Sequence, residues 1–116
     1  MIFEIKGELP TMNEIIKVAK AHYGAYATMK KKNTQRVVEQ CKRLKPIERA
    51  DISVTWYCKD KRKDKDNIAT GIKFIQDGLV EAGVLKNDGW KEIGCIRHFF
   101  EVDKDNPRIV VELTEF

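Results

Sequence analysis

Apolar residues alternate at the two ends of the chain and recur every three or four positions in between. Phe3 and Ile5 alternate with Ile2, Glu4 and Lys6 across Ile2 to Glu8, which predicts a short first strand. Leu9-Pro10 closes it, and Thr11 or Asn13 can cap a helix from Glu14 to about His22 carrying Ile15, Ile16, Val18 and Ala19. Gly24 then loosens the chain. Val37, Val38, Cys41 and Leu44 share one face of a second helix over about Met29 to Leu44, which Pro46 stops. Asp51 to Cys58 alternates most cleanly, with Ile52, Val54, Trp56 and Cys58 on one side. From Asn67 to Ala82, the residues Ile68, Ile72, Ile75 and Leu79 form one helical stripe, with Asp66 as N-cap and Gly83 as stop. Gly71 and Gly78 inside that helix cost about 1 kcal/mol each against Ala, and point to close packing or close approach of a substrate. Lys86-Asn87-Asp88-Gly89 is a turn by composition. Strands over about Trp90 to Val102 and Arg108 to Phe116 complete the order β-α-α-β-α-β-β. That order predicts a single α+β domain over residues 1–116, with one mixed β-sheet and helices packed on it.

Composition narrows the class. At 116 residues, 42% hydrophobic and 34% charged, the chain can bury a core without staples. No apolar run approaches the roughly 20 residues that span a bilayer. Met1 to Lys6 lacks the basic and apolar regions of a signal peptide, so no membrane association and a cytoplasmic location are expected. Cys41, Cys58 and Cys95 are odd in number and widely spaced, which argues against a zinc site or a disulfide framework and for buried thiols. His22 and His98 are too isolated to form a histidine metal cluster, and His98 reads as a packed or edge histidine in a strand.

Charge changes the picture more. Residues 17–45 carry nine basic side chains against one acid, Glu39, so that segment is +8 while the remainder of this +4 chain is −4. A basic segment on an acidic body fits a polyanion partner or, more plainly, a solvated helix face. Lys30, Lys31, Lys32 and Arg36 are its candidate phosphate contacts. Lys61, Arg62, Lys63 and Asn67 form a second candidate group beside the third helix.

That second group surrounds the candidate chemistry. Asp64 and Asp66 lie two residues apart amid Lys59, Lys61, Arg62, Lys63 and Lys65. Carboxylates suit a hard cation such as Mg²⁺, which keeps room for water and phosphate oxygens, while the lysines hold a polyanion beside it. A helix N-terminus adds its own partial positive charge. On one continuous helix Lys73 lies two turns from Asp66 and only about 20° round from it, so its long side chain can lean back towards a bound phosphate. A third carboxylate is wanted, and Asp88 is the candidate. It follows the far end of a helix roughly 24 Å long, so it must fold back or come from a second subunit. Each residue also has a plainer role: Asp66 as a cap, Asp64 in a surface ion-pair cluster, Lys73 paired with Asp77, Asp88 in a turn. A calcium loop is excluded, because Ile68 stands where a third ligand belongs and the loop glycine and distal Glu are missing.

Asp64-x-Asp66-Asn67, Lys73, Asp77-Gly78-Leu79, Ala82-Gly83 and Asn87-Asp88, in that order, resemble the motif block of the RusA family of Holliday junction resolvases. The Leu9-Pro10…Asn13 segment and the element order extend the resemblance over nearly the whole chain. The resemblance implies a homodimeric endonuclease of phage type that resolves four-way DNA junctions by paired symmetric nicks, using Mg²⁺ or, as a substitute, Mn²⁺. It implies Asp64, Asp66 and Asp88 as metal-binding residues and Lys73 as the essential basic residue. Aligning Lys73 takes three extra residues after Asn67, since the family's lysine falls near Thr70. Trp90, Phe99, Phe100 and the adjoining strand edge are candidates for the dimer contact. The competing reading is a branched-DNA-binding protein without catalysis.

Overall fold

The computed structural model describes residues 1–116. Its elements are β1 (Ile2–Lys6), α1 (Met12–Ala21), α2 (Ala25–Cys41), β2 (Ala50–Cys58), α3 (Lys65–Ala69), α4 (Ile72–Glu81), β3 (Ile93–Val102) and β4 (Arg108–Glu115). The expected α+β order is present, with the third helical region split in two. One mixed sheet runs in the order β1-β4-β2-β3; β4 is antiparallel to both neighbours, and β3 is parallel to β2. No helix is long and apolar enough to cross a membrane.

The period-two pattern decides which face of the sheet is covered. Ala50, Ile52, Val54, Trp56 and Cys58 of β2 are buried, as are Phe3, Ile5, Ile109, Val111 and Leu113 of β1 and β4. These side chains face α2 and α4, which pack on each other through Val37 and Cys41 against Gly78 and its neighbours. Gly78 is where the helices come closest, because a Cβ there would collide with the Val37 side chain. Gly71 is equally a packing glycine: a Cβ would stand 2.9 Å from the Trp56 ring and 3.2 Å from Leu9 Cβ.

Four boundaries differ from the sequence expectation. Thr11, not Asn13, caps α1: its hydroxyl accepts from the Glu14 amide, and the Glu14 carboxylate accepts from the Thr11 amide. That capping box starts α1 at Met12. α2 begins four residues early, just after Gly24 at φ 86°, and ends at Cys41, short of Pro46. Between α3 and α4 the amides of Gly71, Lys73 and Phe74 bond three residues back, to Ile68, Thr70 and Gly71. The tighter turn seats Gly71 against Trp56 and breaks the expected continuous helix. Finally, α3 starts at Lys65, so Asp64 holds the N-cap position and Asp66 lies in the first turn. At the other end, Gly83 at φ 79° stops α4 as expected, with Gly83 N–H bonded to Val80 and Val84 N–H to Leu79.

Candidate metal and phosphate site

β2 and β3 run parallel and deliver their C-terminal ends side by side, Cys58 beside Val102. The loop Lys59–Asp64 and α3 leave from that end. Two links tie them to the start of α1. Asn67 Oδ1 accepts the Asn13 amide at 2.9 Å, and Lys63 Nζ donates to Glu14 Oε1 at 3.2 Å. Burial pushes the Glu14 carboxyl up, but hydrogen bonds from Thr11 and Lys63 and the Lys63 charge outweigh it and leave the group below its ordinary 4.5. Asn67 therefore serves an α1 backbone donor. Its placement among DNA contacts left out this structural task, which joins residues far apart in sequence.

Asp64 and Asp66 line one open depression together with Met12, Asn13, Asn67 and Thr70. Asp64 has extended backbone (φ −71°, ψ 152°) at the N-cap, yet its side chain accepts no capping bond. Asp66 Oδ1 accepts only the adjacent Asn67 amide, at 2.9 Å. Neither carboxylate forms an ion pair, despite the cations around them. Asp60 takes Arg62, as an ion pair at 3.7 Å and through the Arg62 amide at 3.0 Å, and Glu14 takes Lys63. A second depression adjoins the first at Asp64, lined by Asp60, Lys61, Lys63 and Lys65 and floored by Phe100 and Val102. Lys65 Nζ stands 5.7 Å from the Phe100 ring centre.

Lys73 is exposed at the start of α4, its ammonium in no ion pair or hydrogen bond. Its expected partner Asp77 faces Lys30 at 3.7 Å instead. The break at Thr70-Gly71 also replaces the continuous-helix geometry by which Lys73 was related to Asp66. Asp88 lies five residues before Ile93, the start of β3. β2 and β3 are nine and ten residues long, so their two ends are about 25 Å apart, and Asp88 stands at the end away from Asp64 and Asp66. One chain brings no group of three acidic, histidine or cysteine side chains together for a metal. The two aspartates nonetheless suit a hard cation, being oxygen donors free of ion pairs, with Asp66 giving up only one oxygen to the Asn67 amide. Such an ion would draw much of its coordination from water and substrate oxygens.

The basic residues divide. Lys31, Lys32 and Lys61 are exposed and without ion pairs. Arg36 is committed internally: it donates to the carbonyls of Glu8 at 3.0 Å and Lys6 at 2.7 Å and to Asn33 Oδ1 at 2.9 Å. Burial lowers its pKa from the ordinary value. It fastens α2 to the end of β1, a correction to its reading as an open phosphate contact. Cys41 and Cys58 are buried, as expected, but Cys95 is exposed on β3.

A scan against protein-family models finds no match for this sequence, and a search of curated proteins finds none either.

Proposed function

We propose that the chain is a metal-dependent, structure-selective endodeoxyribonuclease acting on four-way DNA junctions, as its resemblance to the RusA resolvases suggests. One observation carries the reading. Asp64 and Asp66 open into a shared depression with no ion pair, while neighbouring acids are the ones that take the local cations. Carboxylates kept free amid lysines suit a cation and a phosphate bound side by side. Mg²⁺ or Mn²⁺ held there supplies Lewis acidity and neutralises charge at phosphorus. Lys61 and Lys65 attract the phosphodiester, and Lys73 offers a further charge at the start of α4 for the developing negative charge. Lys63, held by Glu14, and Asn67, held by Asn13, fix the loop that carries Asp64.

Cleavage of a synthetic four-way junction in Mg²⁺ tests this. Asp66→Asn and Asp64→Asn should each slow cleavage roughly 100-fold or more, by analogy with the loss of one charge-stabilising group, with junction binding retained. The second reading, a branched-DNA-binding protein without catalysis, draws on the absence of a third carboxylate within one chain. It prevails if the wild type cuts no faster than Asp66→Asn while both bind equally well.

A further inference from the structure

We infer that Tyr23, at the apex of the α1–α2 hairpin, stacks on the base faces that DNA leaves open at a branch point, with one face of α1 leading the strand to it. The inference rests on the branched-DNA substrate proposed above. α1 ends at Ala21 and α2 begins at Ala25, so only three residues turn the chain. His22 is extended, Gly24 takes φ 86°, and the Ala25 amide closes the turn on the His22 carbonyl at 3.1 Å. The turn fixes the backbone and leaves the Tyr23 side chain 99% exposed. Its ring stacks on no other ring of the protein, although tyrosine offers a large apolar face for such contacts.

The helix leading to that apex is equally open. None of the residues of α1 is buried. Met12, Ile16 and Lys20 recur every fourth position and therefore share one face, with Met12 44% and Ile16 43% exposed. That face starts in the depression of Asp64 and Asp66, whose wall includes Met12 and Asn13. It runs about 15 Å along α1 towards Tyr23. A chain bound at the two aspartates has this face next in its path.

Charge decides the class of occupant. No acidic residue lies between Glu14 and Glu39, and Lys17, Lys20, Lys31 and Lys32 form no ion pair. The occupant must bring negative charge to these ammonium groups and flat apolar surface to Met12, Ile16 and Tyr23. Nucleic acid with uncovered bases brings both, since every base has a π-face and every linkage a phosphate. An intact duplex offers the phosphates alone, because its base faces are stacked on one another. At a branch point the flanking pairs lose a stacking neighbour and present a face. The hairpin thus distinguishes branched from continuous DNA, a choice that lysines, meeting phosphates in both, do not make.

Fluorescence anisotropy in EDTA, with a labelled four-way junction and a duplex of the same arm sequence, tests this without cleavage. Tyr23→Ala should weaken junction binding about tenfold, the effect of losing one base–aromatic stack, and leave duplex binding unchanged. Tyr23→Phe should bind like the wild type, because the ring face and not the hydroxyl makes the contact. Circular dichroism and the urea midpoint should match in all three proteins. Equal losses on junction and duplex, no loss in Tyr23→Ala, or the same loss in Tyr23→Phe each overturns the inference. Tyr23-dependent binding to anionic phosphatidylglycerol vesicles, with junction affinity untouched, overturns it in favour of a membrane surface. If the wild type never cuts in Mg²⁺ while Tyr23→Ala selectively loses junction affinity, the nuclease reading fails and the hairpin contact stands.

Discussion

His98 shows how a single side chain can tie an edge strand to the core. Its Nδ1 accepts the Trp56 indole N–H at 3.0 Å, and its ring stacks between Trp56 and Phe100, with centroid separations of 6.0 and 6.3 Å. An accepting Nδ1 must be unprotonated, and burial lowers the pKa from its ordinary 6.5. Below 6.5 the unfolded chain takes up the proton first, so stability is full above that pH and falls as pH drops through the interval down to the folded-state value. Urea denaturation at pH 7.5 and pH 5.5 should give a lower midpoint at the acid pH, and His98→Gln should reduce the difference. Equal differences in both proteins would place the acid sensitivity elsewhere. The sequence marked His98 as a packed or edge histidine, and it is both. Cys95 is exposed because, alternating with Ile96, it falls on the open face of the edge strand β3, and alternation alone does not tell which face of a strand is covered.

Glycine was the better guide at the level of elements. The apolar stripe Ile68, Ile72, Ile75 and Leu79 runs through α3 and α4 as if they were one helix, because Thr70 and Gly71 keep right-handed helical dihedrals across the break. Periodicity therefore reads the region as helical and cannot register that three hydrogen bonds have tightened. Gly71 and Gly78 did signal close approach, and both approaches turn out to be packing, against Trp56 and Val37. Gly78→Ala should destabilise the protein by about 1–3 kcal/mol through overpacking, outweighing the helix-propensity gain of about 1 kcal/mol from Ala. Thermal or urea unfolding measures it, and Val37→Ala in the same chain should recover part of the loss. A more stable Gly78→Ala would mean that α2 and α4 lie further apart than described. The Asp64-x-Asp66-Asn67 motif was visible as chemistry, yet its structural half was not: no local pattern reveals that Asn67 reaches back to the Asn13 amide, 54 residues away in sequence.

For the whole molecule, charge counted along the chain overstates the surface open to a polyanion. Seven cations were assigned to phosphate contact: Lys30, Lys31, Lys32, Arg36, Lys61, Arg62 and Lys63. In the folded protein Lys30 faces Asp77, Arg62 faces Asp60, Lys63 is bonded to Glu14, and Arg36 is tied to backbone carbonyls. Three remain unpaired, Lys31, Lys32 and Lys61. Each phosphate contact contributes about −0.9 to the slope of log affinity against log salt. On the proposed nuclease reading, each bound chain using those three should thus contribute a slope of about −3 on duplex arms, whereas all seven would give about −6. Replacing Lys31 and Lys32 by Ala should flatten the slope by about 2 per chain. Arg36→Ala should instead lower the unfolding midpoint and leave the slope nearly unchanged, since its lost bonds are internal. Titration of a fluorescent junction across salt concentrations separates these outcomes. A slope of about −4.5 per chain would mean that Lys30 and Lys63 leave their carboxylates on binding. Release of Lys63 would free Glu14 beside the loop that carries Asp64, so DNA contact and the setting of the metal ligands would then be one event.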